Sequence, residues 1–566
     1  MKINLLLISS FCLISVLASC QDESCEMLVA ASNPYVNLYS PDKKSGKLIA
    51  RDFAVRGSGI KVYPKQTISS GDSLFTLVKS QRKAKLYISN LNLTTDSLDV
   101  VREKKLYAKS PVCILRDTID SKISGQVSKG GAVEIIGFDR VDHKGEVHRY
   151  KVKSGNSKGY VYAKYLCRDQ NSARARYKAE IYDSLHLAAK NRFGGGRAID
   201  CDFQAYEKPE FAHNPMPEAC YSLYINFAPG NLANIENYIK LAKKTKINSF
   251  VIDIKDNECP GFKAEAMKKY SPTNYARASS KGEDLYRNAV RRLQEEGFYV
   301  VGRITCFKDT YFVKDNPSSA ITEKASGEPF KHNKSYWPSA YDRRVWEFNV
   351  ELAKEAVEKF GFNEINFDYV RFPDRMSKIE DQVDYHNRYN ESKVQAIQRF
   401  VRYACDELHE KGVYVSIDVF GESANPGYTT AYGQYWPALS NIADVMCGMP
   451  YPDHFPDGFY GISKPWNHPY ELMYQWGLRV QERQKATPVP AKVRTWIQAY
   501  HVMKHVDPNG IDYDAQNIEK EIRGLYAADL TDGYITWLAS SNINRYTMQA
   551  PAFSIDYLEE YRKKRP

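Results

Sequence analysis

Residues 361–373 of this 566-residue chain read GFNEINFDYVRFP and have the pattern of a buried strand that ends on an acid. The preceding residues, 345–360, repeat apolar side chains at helical spacing, and Gly361 is a typical helix stop. Alternation along the strand places Asp368 on its polar side. A carboxylate at the C-terminal end of a strand that follows a helix lies where α/β barrels carry their catalytic groups. The stretch therefore predicts a barrel with Asp368 at its mouth.

From residue 218 onward, buried strands alternate with helical stretches, which predicts a parallel sheet. Eight strand candidates over about 330 residues fit a (β/α)8 TIM barrel spanning residues 218–550. The alternative is an open, doubly wound sheet, which needs a glycine-rich phosphate-binding loop that the sequence does not show. The eight predicted strands are Tyr221–Phe227, Ser249–Ile254, Tyr299–Phe307, Ile365–Val370, Val413–Phe420, Val445–Met449, Val493–Tyr500 and Tyr534–Leu538.

The N-terminal part has a different pattern, with short β runs separated by Gly, Ser, Asp and Lys. Two similar blocks predict two small all-β domains at residues 27–100 and 101–167. The string Gly159–Leu166 resembles the closing strand of bacterial SH3-like barrels. That resemblance implies binding to cell-wall glycan or peptide, and a spacer role is the alternative. Residues 168–217 are expected to be a linker with a helix at 173–190.

The first residues have the pattern of an export signal. Lys2 is followed by an apolar stretch that is too short to span a membrane, which predicts a signal peptide at residues 1–19. The sequence Leu17-Ala18-Ser19-Cys20 resembles a bacterial lipobox. This resemblance implies that Cys20 is lipidated and anchors the protein to the bacterial outer membrane, exposed at the cell surface. Ordinary signal-peptidase cleavage is the alternative.

Charge and cysteine content restrict the partners. The 79 Lys and Arg exceed the 68 Asp and Glu by a modest 11, which favours an anionic glycan or lipid headgroups over nucleic acid. No cysteine pair has zinc-ligand spacing, so neither a metal nor another cofactor is predicted. Two disulfides are possible in an exported protein, and buried thiols are expected at three other positions. The possible bridges are Cys113–Cys167 and Cys201–Cys220, and the expected thiols are Cys306, Cys405 and Cys447.

Strand parity selects the side chains that would meet at the barrel mouth. Residues on the same side of each strand point toward the axis, and several of them are polar. Buried charges of this number need a purpose or a partner. A structural ion pair between Asp253 and Arg303 is the alternative for those two residues. The parity set is Asp253, Arg303, Asp368, Asp418, Gln498 and Trp537.

Two carboxylates suffice for hydrolysis of a glycosidic bond, because one protonates the leaving oxygen while the other attacks the anomeric carbon or activates water. Asp368 and Asp418 end neighbouring predicted strands and form such a pair. Their surroundings must separate the two pKa values so that one is protonated while the other is charged. Arg371, near Asp368 in sequence, is expected to keep that carboxylate ionised.

Residues 218–550 resemble a family of glycoside-hydrolase-like barrels that is distantly similar to α-amylase-type barrels, and the most specific motif is Asn366–Pro373. The resemblance implies that Asp368 is the nucleophile and that the proton donor comes from the fifth strand. This sequence offers Asp418 in that strand and Glu422 after it, where the α-amylase-type family usually has Glu. The expected substrate-binding residues are Asp253, Arg303, Arg371, Tyr451, Trp496, Gln498 and Trp537, with Trp337 and Trp466 as further candidates for stacking on sugar rings.

These observations predict a glycoside hydrolase at the cell surface that acts on a cell-envelope or environmental polysaccharide, including peptidoglycan-type glycan. A second hypothesis is a glycan-binding lipoprotein without turnover. A third is a cell-wall-interaction protein in which the SH3-like repeats bind the partner.

Overall fold

The structure is a computed structural model that describes residues 24–79, 85–120, 122–175, 198, 201–257, 259–376, 378–425 and 432–564. The chain divides into two compact units at residue 175. The predicted signal peptide, Cys20 and most of the predicted helix at 173–190 lie outside the described residues.

The N-terminal unit contains two seven-stranded antiparallel sheets, which confirms an all-β region. If the strands of each sheet are numbered along the chain, both sheets have the order 3-2-6-5-4-1-7. The two similar blocks of the sequence therefore fold with the same topology. The first sheet comprises Cys25–Val29, Tyr35–Pro41, Leu48–Val55, Gly59–Ser70, Ser73–Val78, Leu86–Ser89 and Leu93–Thr94. The second comprises Lys105–Ala108, Val112–Leu115, Ile123–Val127, Ala132–Phe138, Arg149–Ser154, Ser157–Tyr162 and Leu166–Cys167, and the helix Gln170–Arg174 follows it.

The second unit is built on a nearly closed, barrel-like parallel sheet, and all eight predicted strands belong to it. Neighbours in sequence are neighbours in the sheet, and the last strand pairs with the first. The open-sheet alternative is therefore wrong. In chain order the strands are Cys220–Ile225, Ser249–Asp256, Tyr299–Thr305, Glu364–Asp368, Tyr414–Phe420, Val445–Met449, the interrupted strand Lys492–Val493 with Thr495–Gln498, and Gly533–Trp537.

The seventh strand closes the sheet in two halves. Lys492–Val493 pairs with the sixth strand, and Thr495–Gln498 pairs with the eighth. Arg494 stands between the halves with its side chain 1% exposed, and its guanidinium donates to Glu364 over 2.8 Å. Glu364 is the first residue of the fourth strand, and it lies on the same side of that strand as its last residue, Asp368.

Helices separate the barrel strands, as the sequence predicts. The helix Arg343–Phe360 precedes the fourth strand; the Asp342 side chain caps its start, and Gly361 ends it with a φ of 79°, which favours glycine. The longer helices are Ile235–Ala242, Gly282–Glu295, Arg343–Phe360, Lys393–His409, Pro469–Lys485, Ala515–Ala527, Ile543–Phe553 and Tyr557–Lys564. The shorter ones are Pro229–Ala233, Glu265–Tyr270, Pro272–Arg277, Thr310–Asp315 and Trp436–Ser440. Short strands in the loops are Cys259–Pro260, Thr322–Glu323 with Val383–Asp384, and Lys331–His332 with Ser335–Tyr336.

The cysteines correct one expectation. Cys167 and Cys220 are thiols, so neither of the two possible disulfides forms. Cys306, Cys405 and Cys447 are buried, as expected from their apolar segments. No helix among the described residues has the length and apolar content that a bilayer crossing needs.

Candidate active site

Arg303 is the centre of the cluster at the carboxyl ends of the strands. Its guanidinium Nη1 lies 2.6 Å from Asp253 Oδ1 and 3.3 Å from Asp256 Oδ1, and Nη2 lies 2.5 Å from Asp368 Oδ2. Nε lies 3.8 Å from Asp418 Oδ2. One cation therefore contacts four carboxylates, which come from the second, fourth and fifth strands.

Asp368 is held by two donors. Arg303 donates to Oδ2, and the backbone N–H of Tyr369 donates to Oδ1 over 2.5 Å. Tyr369 has a φ of 50°, a conformation that bulky residues rarely adopt and that often marks a functional site. Both donors stabilise the charged form of a carboxylate.

Asp418 has different surroundings. Asn366 Nδ2 and Trp496 Nε1 both donate to Oδ1, over 2.9 and 2.7 Å. Oδ2 has no hydrogen-bond partner among the described residues. Burial and the neighbouring charge of Asp368 raise the pKa of Asp418 well above its ordinary value. The site thus contains one carboxyl group that accepts from an arginine and a backbone N–H, and one whose surroundings favour its protonated form.

The two carboxyl groups are close enough to act together. Phe367 pairs with Ile417 in the parallel ladder, so the next residues, Asp368 and Asp418, stand side by side on neighbouring strands. Both carboxylates lie within 4 Å of the guanidinium of Arg303, so they are less than about 10 Å apart. This separation is compatible with both known geometries of glycoside hydrolysis.

Asp253 lies beneath the cluster rather than in contact with the cavity. It is fully buried and accepts hydrogen bonds from Tyr224 Oη and from Arg303. Burial raises the pKa of Asp253 to about 7, although Arg303 opposes the shift. The sequence placed Asp253 correctly on the inward face, and its contacts show that it supports Arg303. The structural ion pair considered for these two residues is therefore present.

A cavity of about 260 Å³ opens above the carboxylates. Three of the aromatic candidates, Tyr451, Trp496 and Trp537, line it, whereas Trp337 and Trp466 do not. Trp537 also covers Arg303, with 5.3 Å between the guanidinium carbon and the ring centre. The remaining lining residues are Asp256, Asn257, Arg303, Asp368, Tyr369, Arg371, Asp418, Phe420, Met449 and His454.

The contacts of two expected site residues differ from those inferred from the sequence. Gln498 has the inward parity, but its side chain accepts from the backbone N–H of Asp453 and does not line the cavity. Arg371 lines the cavity but pairs with Asp374 at 3.5 Å, so Arg303 is the cation that binds Asp368. The alternation of side chains between the two faces of the strand stops at its last residue, Asp368, so it cannot predict the direction of Arg371.

Glu422 lies in a second cavity, of about 550 Å³, which shares the lining residues Phe420, Met449 and His454 with the first. Its carboxyl accepts a hydrogen bond from the Tyr432 hydroxyl. Burial raises the pKa of Glu422. It is therefore near the carboxylate pair but belongs to the adjoining compartment.

The sequence analysis missed several cavity residues. Asp256 was beyond the predicted end of the second strand, which continues to that residue. Asn257, Phe420, Met449 and His454 also line the cavity. An acid three residues after Asp253 was a usable signal, and Phe420 shares the strand side of Asp418, whereas the loop residues Asn257 and His454 carried no signal. No group of His, Cys, Asp and Glu arranged to hold a metal ion occurs within the described ranges.

A nearly closed parallel barrel with carboxylates at the carboxyl ends of its strands is the architecture of TIM-barrel-like proteins. A family profile described as "Putative glycosyl hydrolase domain" matches residues 222–546, more than half of the chain. The chain belongs to this family, which confirms the resemblance inferred from Asn366–Pro373.

Three solved structures illustrate what the chain is similar to. A hypothetical protein from Ruminiclostridium thermocellum ATCC 27405 is 30% identical over 35% of this chain and 97% of its own, with a TM-score of 0.30. The PgaB (BpsB) glycoside hydrolase domain from Bordetella bronchiseptica is 11% identical, and the match covers 60% of this chain and 100% of that domain, with a TM-score of 0.41. The noncanonic maltogenic alpha-amylase AmyB from Thermotoga neapolitana is 12% identical, and the match covers 61% of this chain and 75% of the amylase, with a TM-score of 0.37. A search of curated proteins gave no match.

Proposed function

We propose that this protein hydrolyses glycosidic bonds of a cell-envelope or environmental polysaccharide with Asp368 and Asp418. The supporting observation is the contrast between their surroundings. Asp368 accepts from Arg303 and a backbone N–H, while Asp418 is buried with one oxygen that has no partner in the described structure. Such a contrast keeps one carboxyl group charged and the other protonated.

The proposed chemistry follows from these roles. Asp418 gives its proton to the leaving glycosidic oxygen, and the bond from that oxygen to the anomeric carbon breaks. In one route Asp368 forms a bond to the anomeric carbon, and water then breaks that bond and gives its proton back to Asp418. In the other route Asp368 removes a proton from the water that attacks the anomeric carbon. The anomeric configuration of the first product distinguishes these two routes. Trp496, Trp537 and Tyr451 supply ring faces for the sugar.

Supporting groups hold this arrangement. Asp253 and Tyr224 orient Arg303, which in turn fixes Asp368. The planar, forked guanidinium suits this bridging because it binds two carboxylates in fixed directions. Glu422 is the alternative proton donor, from the adjoining cavity.

The test is hydrolysis of a panel of polysaccharides by the parent chain and by Asp368→Asn. We expect the parent to release reducing ends from at least one polymer and the variant to release none while keeping its fold. Equal release by the variant would overturn the two-carboxylate mechanism. Binding of a polymer by both proteins without release by either would support the glycan-binding alternative.

The finer features of the architecture and location are also proposals. Closure of the sheet through the interrupted seventh strand supports a (β/α)8 TIM barrel. The repeated strand order and the string Gly159–Leu166 support SH3-like modules in the N-terminal unit. The pattern of residues 1–20 supports export and anchoring to the outer membrane through a lipid on Cys20.

A further inference from the structure

The N-terminal unit is far more basic than the rest of the chain. Residues 24–175 contain 27 Lys and Arg against 14 Asp and Glu, a formal net charge of +13. Residues 176–566 contain 51 Lys and Arg against 52 Asp and Glu. The positive charge of the protein is therefore concentrated in one unit, and such asymmetry favours a polymer of the opposite sign as partner.

One sheet face of this unit concentrates lysines and tyrosines. In four neighbouring strands of the second sheet, alternate residues such as Leu106, Val152 and Val161 are buried in the core. The residues between them form the opposite face, which we call the Lys–Tyr face. Its cations and rings are Lys105, Tyr107, Lys151, Lys153, Lys158 and Tyr160, and one acid, Glu134, lies on the same face.

The lysines of this face are placed against each other. Lys153 and Lys158 are directly opposite in the antiparallel ladder, and both are exposed. Like charges directly opposite on neighbouring strands destabilise a sheet. Glu134 stands opposite both Lys105 and Lys153, yet it makes no ion pair with either in the part of the chain that the structure describes. The face thus presents cations whose charge an external anion can neutralise.

Aromatic rings are interleaved with these cations. Lys105 Nζ lies 5.4 Å from the ring centre of Tyr107, and Lys151 Nζ lies 5.9 Å from that of Tyr160. Lys151 and Tyr160 are directly opposite in the ladder, next to the Lys153–Lys158 pair. Each of the two tyrosine rings of this face therefore lies beside a lysine.

We propose that the Lys–Tyr face binds an anionic polysaccharide, one whose sugar rings carry carboxylate or phosphate groups. The lysines bind the anionic groups, and the tyrosines contact the apolar faces of the sugars. A membrane surface fits less well, because the face lacks the protruding aliphatic side chains that enter a bilayer interface. The Lys–Tyr face belongs to the N-terminal unit and Asp368 and Asp418 to the second unit, so a binding test of the face does not depend on hydrolysis.

The test uses the full chain and a triple variant, Lys151→Gln, Lys153→Gln and Lys158→Gln. All three side chains are exposed, so the fold is expected to be retained. Binding to alginate, a carboxylated polysaccharide, is compared with binding to neutral dextran. Binding is measured at about 0.15 M and at about 1 M salt. The Debye screening length falls from about 8 Å to about 3 Å between these concentrations, so binding through charges should weaken.

A matched control makes the same charge change on the first sheet. Lys43, Lys44 and Lys47 lie exposed in the turn before Leu48–Val55, and their replacement by Gln removes three charges from the same unit. We expect the parent to bind alginate but not dextran and to bind more weakly at high salt. The Lys–Tyr variant should lose at least tenfold in affinity, and the control should lose less than threefold.

Several results would overturn the proposal. Equal losses in the two variants would mean that net charge, rather than this face, determines binding. Equal affinity for dextran and alginate would remove the anionic requirement. Binding to vesicles containing anionic phospholipid, or to single-stranded DNA, without binding to alginate would identify a different partner. Circular dichroism of each variant separates loss of binding from loss of fold.

Discussion

Replacement of Asp418 by Asn tests the proposed proton donor with little disturbance of the fold. The amide oxygen can accept from Asn366 and Trp496 as Oδ1 does now, and the amide nitrogen takes the volume of Oδ2. What disappears is the proton that burial keeps on the carboxyl group, since burial raises the pKa of Asp418. The variant therefore removes one chemical function from an otherwise similar site.

The expected magnitude follows from general acid catalysis, which contributes about 10²- to 10⁴-fold. That range corresponds to about 3–5 kcal/mol in the activation free energy. Loss of kcat on the natural polysaccharide should fall in this range, while KM changes little. Aryl glycosides with acidic phenols need no protonation, so on them the variant should regain most of the parent rate.

The pH profile gives an independent readout. Parent activity should fall as pH rises through the pKa of Asp418, because the deprotonated form cannot act as the acid. In Asp418→Asn this basic limb should be absent. Glu422→Gln is the control: it converts a half-buried acid with a raised pKa to an amide, and it should retain the limb. Retention of the limb in Asp418→Asn with its loss in Glu422→Gln would refute the assignment and identify Glu422 as the donor.

The remaining predictions concern the other carboxylate, its cation and the anchor. Asp368→Asn should abolish turnover on activated aryl glycosides as well, because no leaving group compensates for a missing nucleophile or base; measurable rescue by phenol acidity would contradict this role. Arg303→Lys should lower kcat by about 10²-fold or more because a lysine cannot bridge Asp253 and Asp368, whereas Arg371→Lys should have a smaller effect; steady-state kinetics of the two variants decide the comparison. Cys20→Ser should move the protein from the membrane to the soluble fraction of cells; unchanged fractionation by immunoblot would exclude the lipid anchor.

Local patterns predicted the strands and the inward face of the barrel well. Alternation depends only on neighbouring residues, and it placed Arg303, Asp368 and Asp418 at the mouth and Asp253 on the inward face beneath them. Helix spacing and the glycine at 361 likewise predicted where the fourth strand begins. These features are short-range, so a single sequence contains them.

The errors arise where the chain leaves regular structure. Tyr369 adopts a positive φ immediately after the fourth strand, so the direction of Arg371 cannot be extrapolated from strand parity. Gln498 has the predicted parity, but the loop after the sixth strand brings Asp453 over it. Glu422 lies in a 3₁₀ turn after the fifth strand and points into the adjoining cavity. Loop paths depend on tertiary packing that alternation does not encode.

The barrel interior contains two groups of ion pairs, which differ in the ratio of cations to carboxylates. This ratio distinguishes an ion pair with a structural role from a cluster suited to a chemical one. Below, Arg494 and Glu364 form a buried pair of one cation and one anion, which neutralise each other. At the mouth, one Arg303 contacts four aspartates. If all four were ionised, the mouth would carry three uncompensated negative charges, and burial makes such an excess unfavourable.

Proton uptake would relieve this excess, and burial, which raises the pKa of both Asp253 and Asp418, favours uptake at these two groups. A purely structural layer would need only the pairing seen at Arg494. In the proposed mechanism, Asp368 and Asp418 stand side by side beneath an aromatic-lined cavity and supply the two carboxyl groups that glycoside hydrolysis requires. Replacing Arg303 alone should therefore change how many of the four aspartates bind a proton, and so change the pH profile of activity. Replacing Arg494 should change stability without a corresponding change in that profile.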